Sequence, residues 1–180
     1  QTANGSIIST VNYEAGNSIA LTAAKAGTDN SLGSISQVGN LQAGPYAVDN
    51  EGYAVAGVGA VAINGAQDIS VQGDLFAADG INITSSQGAV TLQGELKAGT
   101  AIDLAAKGKI TAAGDMYAGN NISVGHNIDA THAAAVEITN SVIKAKNNIT
   151  LEAEGTVNSS KNLVTSENGS IRLQSFTEGD

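Results

Sequence analysis

Three apolar columns running in phase through the middle of this chain limit its fold more than any other feature. Aligned on one another, Asp68–Ile83 (DISVQGDLFAADGINI), Ala89–Leu104 (AVTLQGELKAGTAIDL) and Lys109–Val124 (KITAAGDMYAGNNISV) put Ile69, Val90 and Ile110 in one column. Leu75, Leu96 and Met116 make a second, and Ile81, Ile102 and Ile122 a third. Every column advances by 21 and then 20 residues. A constant period of this length marks a repeat in which one small unit stacks on the next.

Within each unit the apolar residues alternate, as in Ile69/Val71, Ile81/Ile83 and Ile102/Leu104. Period two is the pattern of a strand with one buried face. Gly73, Gly94 and Gly114 stand at one corner, and Ala98-Gly99 and Ala118-Gly119 at the next. A unit this short has no room for a crossover helix. The expected fold is therefore all-β: a right-handed parallel β-helix, or β-solenoid, with three short strands per coil of about 20 residues.

The pattern extends both ways. Val136, Ile143 and Ile149 return one coil later as Val157, Val164 and Ile171, while Ile7, Tyr13 and Ile19 form an early coil and Ile35 and Leu41 begin the next. Seven or eight coils are expected, forming one domain over residues 1–180. Three stretches break phase and are expected to be insertions: 22–33, 45–60 and 125–135. The first is rich in Ala, Gly, Asp and Asn; the second holds the only Pro and an Asp49-Asn50-Glu51-Gly52 turn; the third holds both His residues.

Composition narrows the function classes. A formal charge of -9 argues against nucleic acid and anionic membranes, which need clustered cations. The absence of Cys excludes a disulfide framework and a thiolate metal site. Two Phe, four Tyr and no Trp are too few for an aromatic-lined sugar groove, but they suit a narrow interior filled by aliphatics and Ala. Gln1–Thr10 (QTANGSIIST) lacks the basic start and apolar run of a signal peptide, and no stretch reaches membrane-spanning length. The chain reads as an internal, monomeric piece of a longer protein.

The units G-[DE]-[LM]-x-A-G-x-x-I-x-[VL] and the tract Ala118-Gly119-Asn120-Asn121-Ile122 resemble the repeats of filamentous haemagglutinin-type exoproteins. These are the passengers of two-partner secretion, a group that includes contact-dependent growth inhibition proteins. The resemblance covers Ile69–Val124 well, Val136–Leu173 fairly and Gln1–Gly44 in part. It implies a secreted, bacterial cell-surface location and an outer-membrane transporter as partner during secretion. It also implies the shaft or a receptor-contacting part, since no N-P-N-G-type or N-x-H-P-type secretion motif is present.

Candidate sites are few. Asp74, Glu95 and Asp115 share a column beside inward residues, so they are expected to face water as a carboxylate ladder, with a hard cation such as Ca²⁺ the weaker alternative. Lys97 stands nearby to offset the charge. His126 and His132, with Asp129 between them, could begin a metal site but lack converging partners. Ala56–Ala62 (AGVGAVA) fits the G-x-G-x-x-A dinucleotide fingerprint, but Asn64-Gly65 follows where a long helix is required, so no cofactor is expected. Asn-x-Ser/Thr triplets at Asn82, Asn121 and Asn148 belong to the repeat rather than to glycosylation.

The expected function is structural and adhesive, without catalysis: a rigid segment of a secreted surface filament that meets a receptor or glycan on a host or neighbouring cell. The alternatives are a glycan-processing β-helix enzyme, which needs converging carboxylates in a cleft, and a cation-stabilised solenoid, whose G-G-x-G-x-D nonapeptide is missing. Receptor contact is expected on Pro45–Ala60, through Tyr46, Asp49, Glu51 and Tyr53. The competing reading has both rings covering the coil beneath, at Val55 or Val61. Either way, deleting Asp49–Tyr53 is expected to leave the melting curve nearly unchanged.

Overall fold

A computed structural model describes residues 5–24, 33–125 and 132–176. Their strands form three parallel seven-stranded sheets, and each coil contributes one strand to each sheet. The described residues form a right-handed parallel β-helix of seven coils. The first sheet stacks Ile7–Ser9, Ile35–Val38, Ile69–Gln72, Val90–Gln93, Lys109–Ala113, Ala135–Thr139 and Val157–Ser160. Tyr13–Ala15, Leu41–Ala43, Leu75–Ala77, Leu96–Ala98, Met116–Ala118, Val142–Ala145 and Leu163–Ser166 make the second. The third stacks Ile19–Ala23, Val61–Gly65, Ile81–Ser85, Ile102–Ala106, Ile122–Val124, Ile149–Ala153 and Ile171–Ser175.

The register follows the columns residue for residue. Val90 pairs with Ile69 and Ile110, Leu96 with Leu75 and Met116, and Ile102 with Ile81 and Ile122. Ile35, Leu41 and Val61 continue them upstream; Val136, Ile143 and Ile149 do so downstream. These side chains are almost wholly buried. Each full burial of an Ile or Leu contributes about 1.5–3 kcal/mol against the entropy of ordering the chain. The second sheet adds an unbroken inner column of Ala43, Ala77, Ala98, Ala118 and Ala145, all buried.

The corner before the second sheet shows why glycine recurs. Gly39, Gly73, Gly94 and Gly114 all have positive φ, between 115° and 145°. A Cβ at Gly114 would also collide with the carbonyl oxygen of Gly94 in the coil below. Both the backbone angle and the stacking distance therefore demand Gly.

The insertions differ in detail from the phase breaks. Thr22 and Ala23 belong to a strand and pair with Asn64 and Gly65, so the first begins after them. Ala135 opens the strand Ala135–Thr139 and so lies outside the third. Residues 25–32 and 126–131 lie outside the described residues, and His126 and Asp129 with them. Pro45–Ala60 lies, with Gly44, in the interval between Leu41–Ala43 and Val61–Gly65. No helix follows Gly57 and Gly59; the strand Val61–Gly65 does. A Cβ on Gly59 would meet Gly44 N at 2.5 Å, so this fingerprint glycine lets the returning chain pass close to the outgoing one.

Candidate functional site: a hairpin across one face

The outward column of the second sheet is unlike the other faces. Register places Gln42, Phe76, Lys97, Tyr117, Lys144 and Thr165 one above another, from the second coil to the seventh. Pro45–Ala60 leaves the second coil and folds over this column as a hairpin. Val48 and Ala54 form an antiparallel bridge, and Val55 N–H donates to Ala47 O at 2.9 Å. Asp49 builds the tip, its Oδ1 accepting from the N–H groups of Glu51 and Tyr53, both at 3.0 Å. Gly52 supplies the positive φ, 91°, that closes the turn.

The hairpin spans the stack. Near its base Tyr46 packs on Phe76, with ring centroids 4.5 Å apart, and Ala54, Phe76 and Ala78 form a small buried cluster of their own. Near its tip Tyr53 meets Tyr117 edge to face at 6.3 Å, with Lys146 over its ring at 4.8 Å. The Tyr53 hydroxyl donates to Glu167 Oε1 at 2.6 Å, just past the last strand of the sheet. Asp49 Oδ2 pairs with Lys146 Nζ at 3.0 Å. Burial, then the Glu167 carboxylate, push the Tyr53 phenol far above its ordinary pKa, so it stays a donor.

These contacts revise the expectations for the loop. Tyr53 is 0 % exposed, so its ring supports the hairpin from beneath and is not an outward contact. What it covers is Tyr117, three coils away, and Lys144 and Lys146, four coils away, whereas Val61 faces the core and Val55 is exposed. A segment held by a buried ring, an ion pair and a hydrogen bond to a carboxylate is not dispensable for stability. The contacts therefore predict that deleting Asp49–Tyr53 lowers stability, in place of the neutral outcome the sequence suggested. Tyr46, at 59 % exposed, and Glu51 remain at the surface; Asp49 is half-buried in its ion pair.

Beside Tyr46 the hairpin and the sheet enclose a cavity of about 210 Å³, lined by Asn40, Gln42, Tyr46, Asp74, Phe76, Glu95 and Lys97 among others. Four of the six aromatic rings of the chain, Tyr46, Tyr53, Phe76 and Tyr117, gather on this one face. A low total does not mean a low local density. Lys97 Nζ is 2.8 Å from Glu95 Oε2 and lies over the Tyr117 ring at 5.2 Å. Partial burial lowers the Lys97 pKa, but the hydrogen bond and charge of Glu95 outweigh it and leave it above the ordinary value.

The carboxylate column does structural work that the sequence hides. Asp74 Oδ1 accepts from Glu95 N–H at 2.9 Å, and Asp115 Oδ1 accepts from Val142 N–H at 2.7 Å. Asn12 and Asn40 serve the coils below in the same way, capping the N–H groups of Asn40 and Asp74. Corner side chains thus carry the ladder round bends where strand pairing lapses. Asp68, Asn121 and Asn148 do likewise at other corners, so two of the three Asn-x-Ser/Thr asparagines are caps. Among the described residues no group of three or more His, Cys, Asp and Glu is arranged to hold a metal ion.

His132 is the one described member of the His/Asp trio. Its ring stacks on Phe176 with centroids 4.0 Å apart, between Glu152 and Glu154, each at 3.5 Å. Glu152 is also 3.4 Å from Arg172 Nε. The ring braces the last two coils. Comparison with family models, curated proteins and solved structures returned no match to this chain.

Proposed function

We propose that this chain is a structural and adhesive segment of a large secreted bacterial surface filament, of the filamentous haemagglutinin type, exported through an outer-membrane transporter by two-partner secretion. The observation that carries the reading is an unbroken seven-coil stack with a hairpin pinned along one face. Such a molecule is a stiff rod that carries an irregular surface where the hairpin lies. Regular coils repeat nearly the same polar side chains at each step and discriminate poorly between partners; loops on a rigid scaffold discriminate well. Contact with a receptor on a host or neighbouring cell therefore falls on the hairpin face, at Tyr46 and Glu51, with Asp49 and Tyr53 holding the hairpin in position.

The test is adhesion of the purified, labelled chain to epithelial and bacterial cells, compared with a variant carrying Tyr46→Ala and Glu51→Ala. Saturable binding by the parent, lost in the variant while its far-UV spectrum is kept, supports the reading. Failure to bind any surface overturns it. Steady release of reducing ends from added polysaccharide would replace it with the glycan-processing alternative. A transporter gene beside the coding sequence would support the secretion route.

A further inference from the structure

We infer that the cavity beside Tyr46 is a binding subsite for one neutral saccharide ring; this rests on the adhesive reading and gives it a ligand class. The argument begins with Tyr46. Its ring packs at a tilt on Phe76, with centroids 4.5 Å and planes 39° apart, and the residue lines the cavity while 59 % exposed, so aromatic surface braced by a second ring is open to a ligand there. The C–H face of a pyranose carries slight positive charge and suits the negative face of such a ring.

The polar groups around the platform match hydroxyls. Asp74 and Glu95 contribute carboxylate oxygens as acceptors, and the Lys97 ammonium is a donor. All three are held in place: Asp74 by the Glu95 N–H, Glu95 and Lys97 by each other. Gln42 Nε2 donates to Glu14 Oε1 and to Gly44 O, which holds this amide in place at the cavity wall. Groups fixed before binding lose little entropy on binding.

Charge and size select within the possible ligands. Two carboxylates face one ammonium in a chain of formal charge -9, so uronates, sialic acids and phosphates are repelled. A purely apolar ligand would displace water from these charged groups and return no hydrogen bond to them. At about 210 Å³ the cavity is smaller than the ~300–1,000 Å³ of drug-sized sites, so it takes one ring and leaves the rest of a glycan in solvent. Affinity for a lone sugar should then be of order millimolar, with tighter attachment arising from many copies on one surface.

The test is an amide NMR titration of the full chain with galactose, mannose and N-acetylglucosamine, and with glucuronate and free lysine as charged counter-probes. At least one neutral sugar should shift the resonances of Gln42, Tyr46, Phe76 and Lys97 saturably. Tyr46→Phe should keep the affinity within about threefold, whereas Tyr46→Ala should weaken it about tenfold or more. Gln42→Ala, away from the hairpin anchors, should also weaken binding and serves if Tyr46→Ala does not fold. Silence at the cavity with all three neutral sugars overturns the inference, as does tighter binding of glucuronate or lysine, or undiminished binding by both variants. Cell adhesion without any sugar binding would remove this subsite and leave the adhesive reading standing; sugar binding without adhesion would do the reverse.

Discussion

Replacing Tyr53 separates a docked hairpin from a loose one. In the parent its ring is wholly buried, and its hydroxyl reaches Glu167 Oε1 at 2.6 Å. Tyr53→Phe keeps the ring and deletes the donor. A hydrogen bond to a charged group is worth about 1.5–3 kcal/mol, so the variant should lose an amount in that range. For a chain of this size each kcal/mol moves Tm by about 2–4 °C, which predicts a fall of roughly 3–12 °C. Tyr53→Ala removes the ring as well and should cost about 3–5 kcal/mol, limited by how tightly the hairpin is docked. Urea denaturation followed by far-UV circular dichroism gives both numbers. A double-mutant cycle with Glu167→Gln isolates the pair, and a coupling of about 1–2 kcal/mol is expected. A coupling below about 0.3 kcal/mol, or a Tyr53→Ala variant within about 0.5 kcal/mol of the parent, would refute the docked arrangement.

Acid should loosen the hairpin tip. Burial raises the pKa of Asp49, but hydrogen bonds from Lys146 and from the Tyr53 and Glu51 N–H groups outweigh it and leave the value below the ordinary 3.8. A lowered folded pKa means the contribution is complete above the unfolded value and fades as pH falls through the folded one. Hydrogen exchange at Tyr53 N–H, with intrinsic rates corrected for pH, should therefore show steady protection from neutral pH down to about 4 and less below it. Ile102→Asp sets a charge between Ile81 and Ile122 at a position 0 % exposed and should cost at least about 3 kcal/mol; a melting curve like the parent's would break the column assignment. Asp74→Ala strips the cap from Glu95 N–H and should cost about 1 kcal/mol by denaturation, with Asp74→Asn restoring most of it. Neither Ca²⁺ nor chelator should move the melting temperature, because Asp74, Glu95 and Asp115 already engage backbone or Lys97; a concentration-dependent rise would revive the cation reading.

The coils are legible in the sequence because burial constrains them locally. An inward position must be apolar in every coil, so Ile81, Ile102 and Ile122 announce one another through spacing alone. Gln37 departs from that rule: it is buried opposite Val71, and its Nε2 donates to Val11 O at 2.8 Å. The corner column is only half legible. Asp74 and Asp115 have one methylene, which sets the carboxylate against a neighbouring N–H, while the longer Glu95 carries its charge on to Lys97. No local pattern foretells where a loop lands. Asp49 meets Lys146 across 97 positions and Tyr53 meets Glu167 across 114, and only the stacked coils bring those pairs together. The aromatic count misleads for the same reason, since it cannot register that four rings share one face.

The hairpin changes how the rod can come apart. In a solenoid each coil touches only its neighbours, so stability adds up along one dimension and the end coils can fray singly. Here the second coil is fastened directly to the sixth through Asp49 and Lys146, and to the margin of the seventh through Tyr53 and Glu167. The last coil, in peeling away, must break a contact that belongs to a coil far beneath it. The strap couples distant coils into one cooperative unit, and a pull along the axis is shared between the stack and the hairpin laid across it.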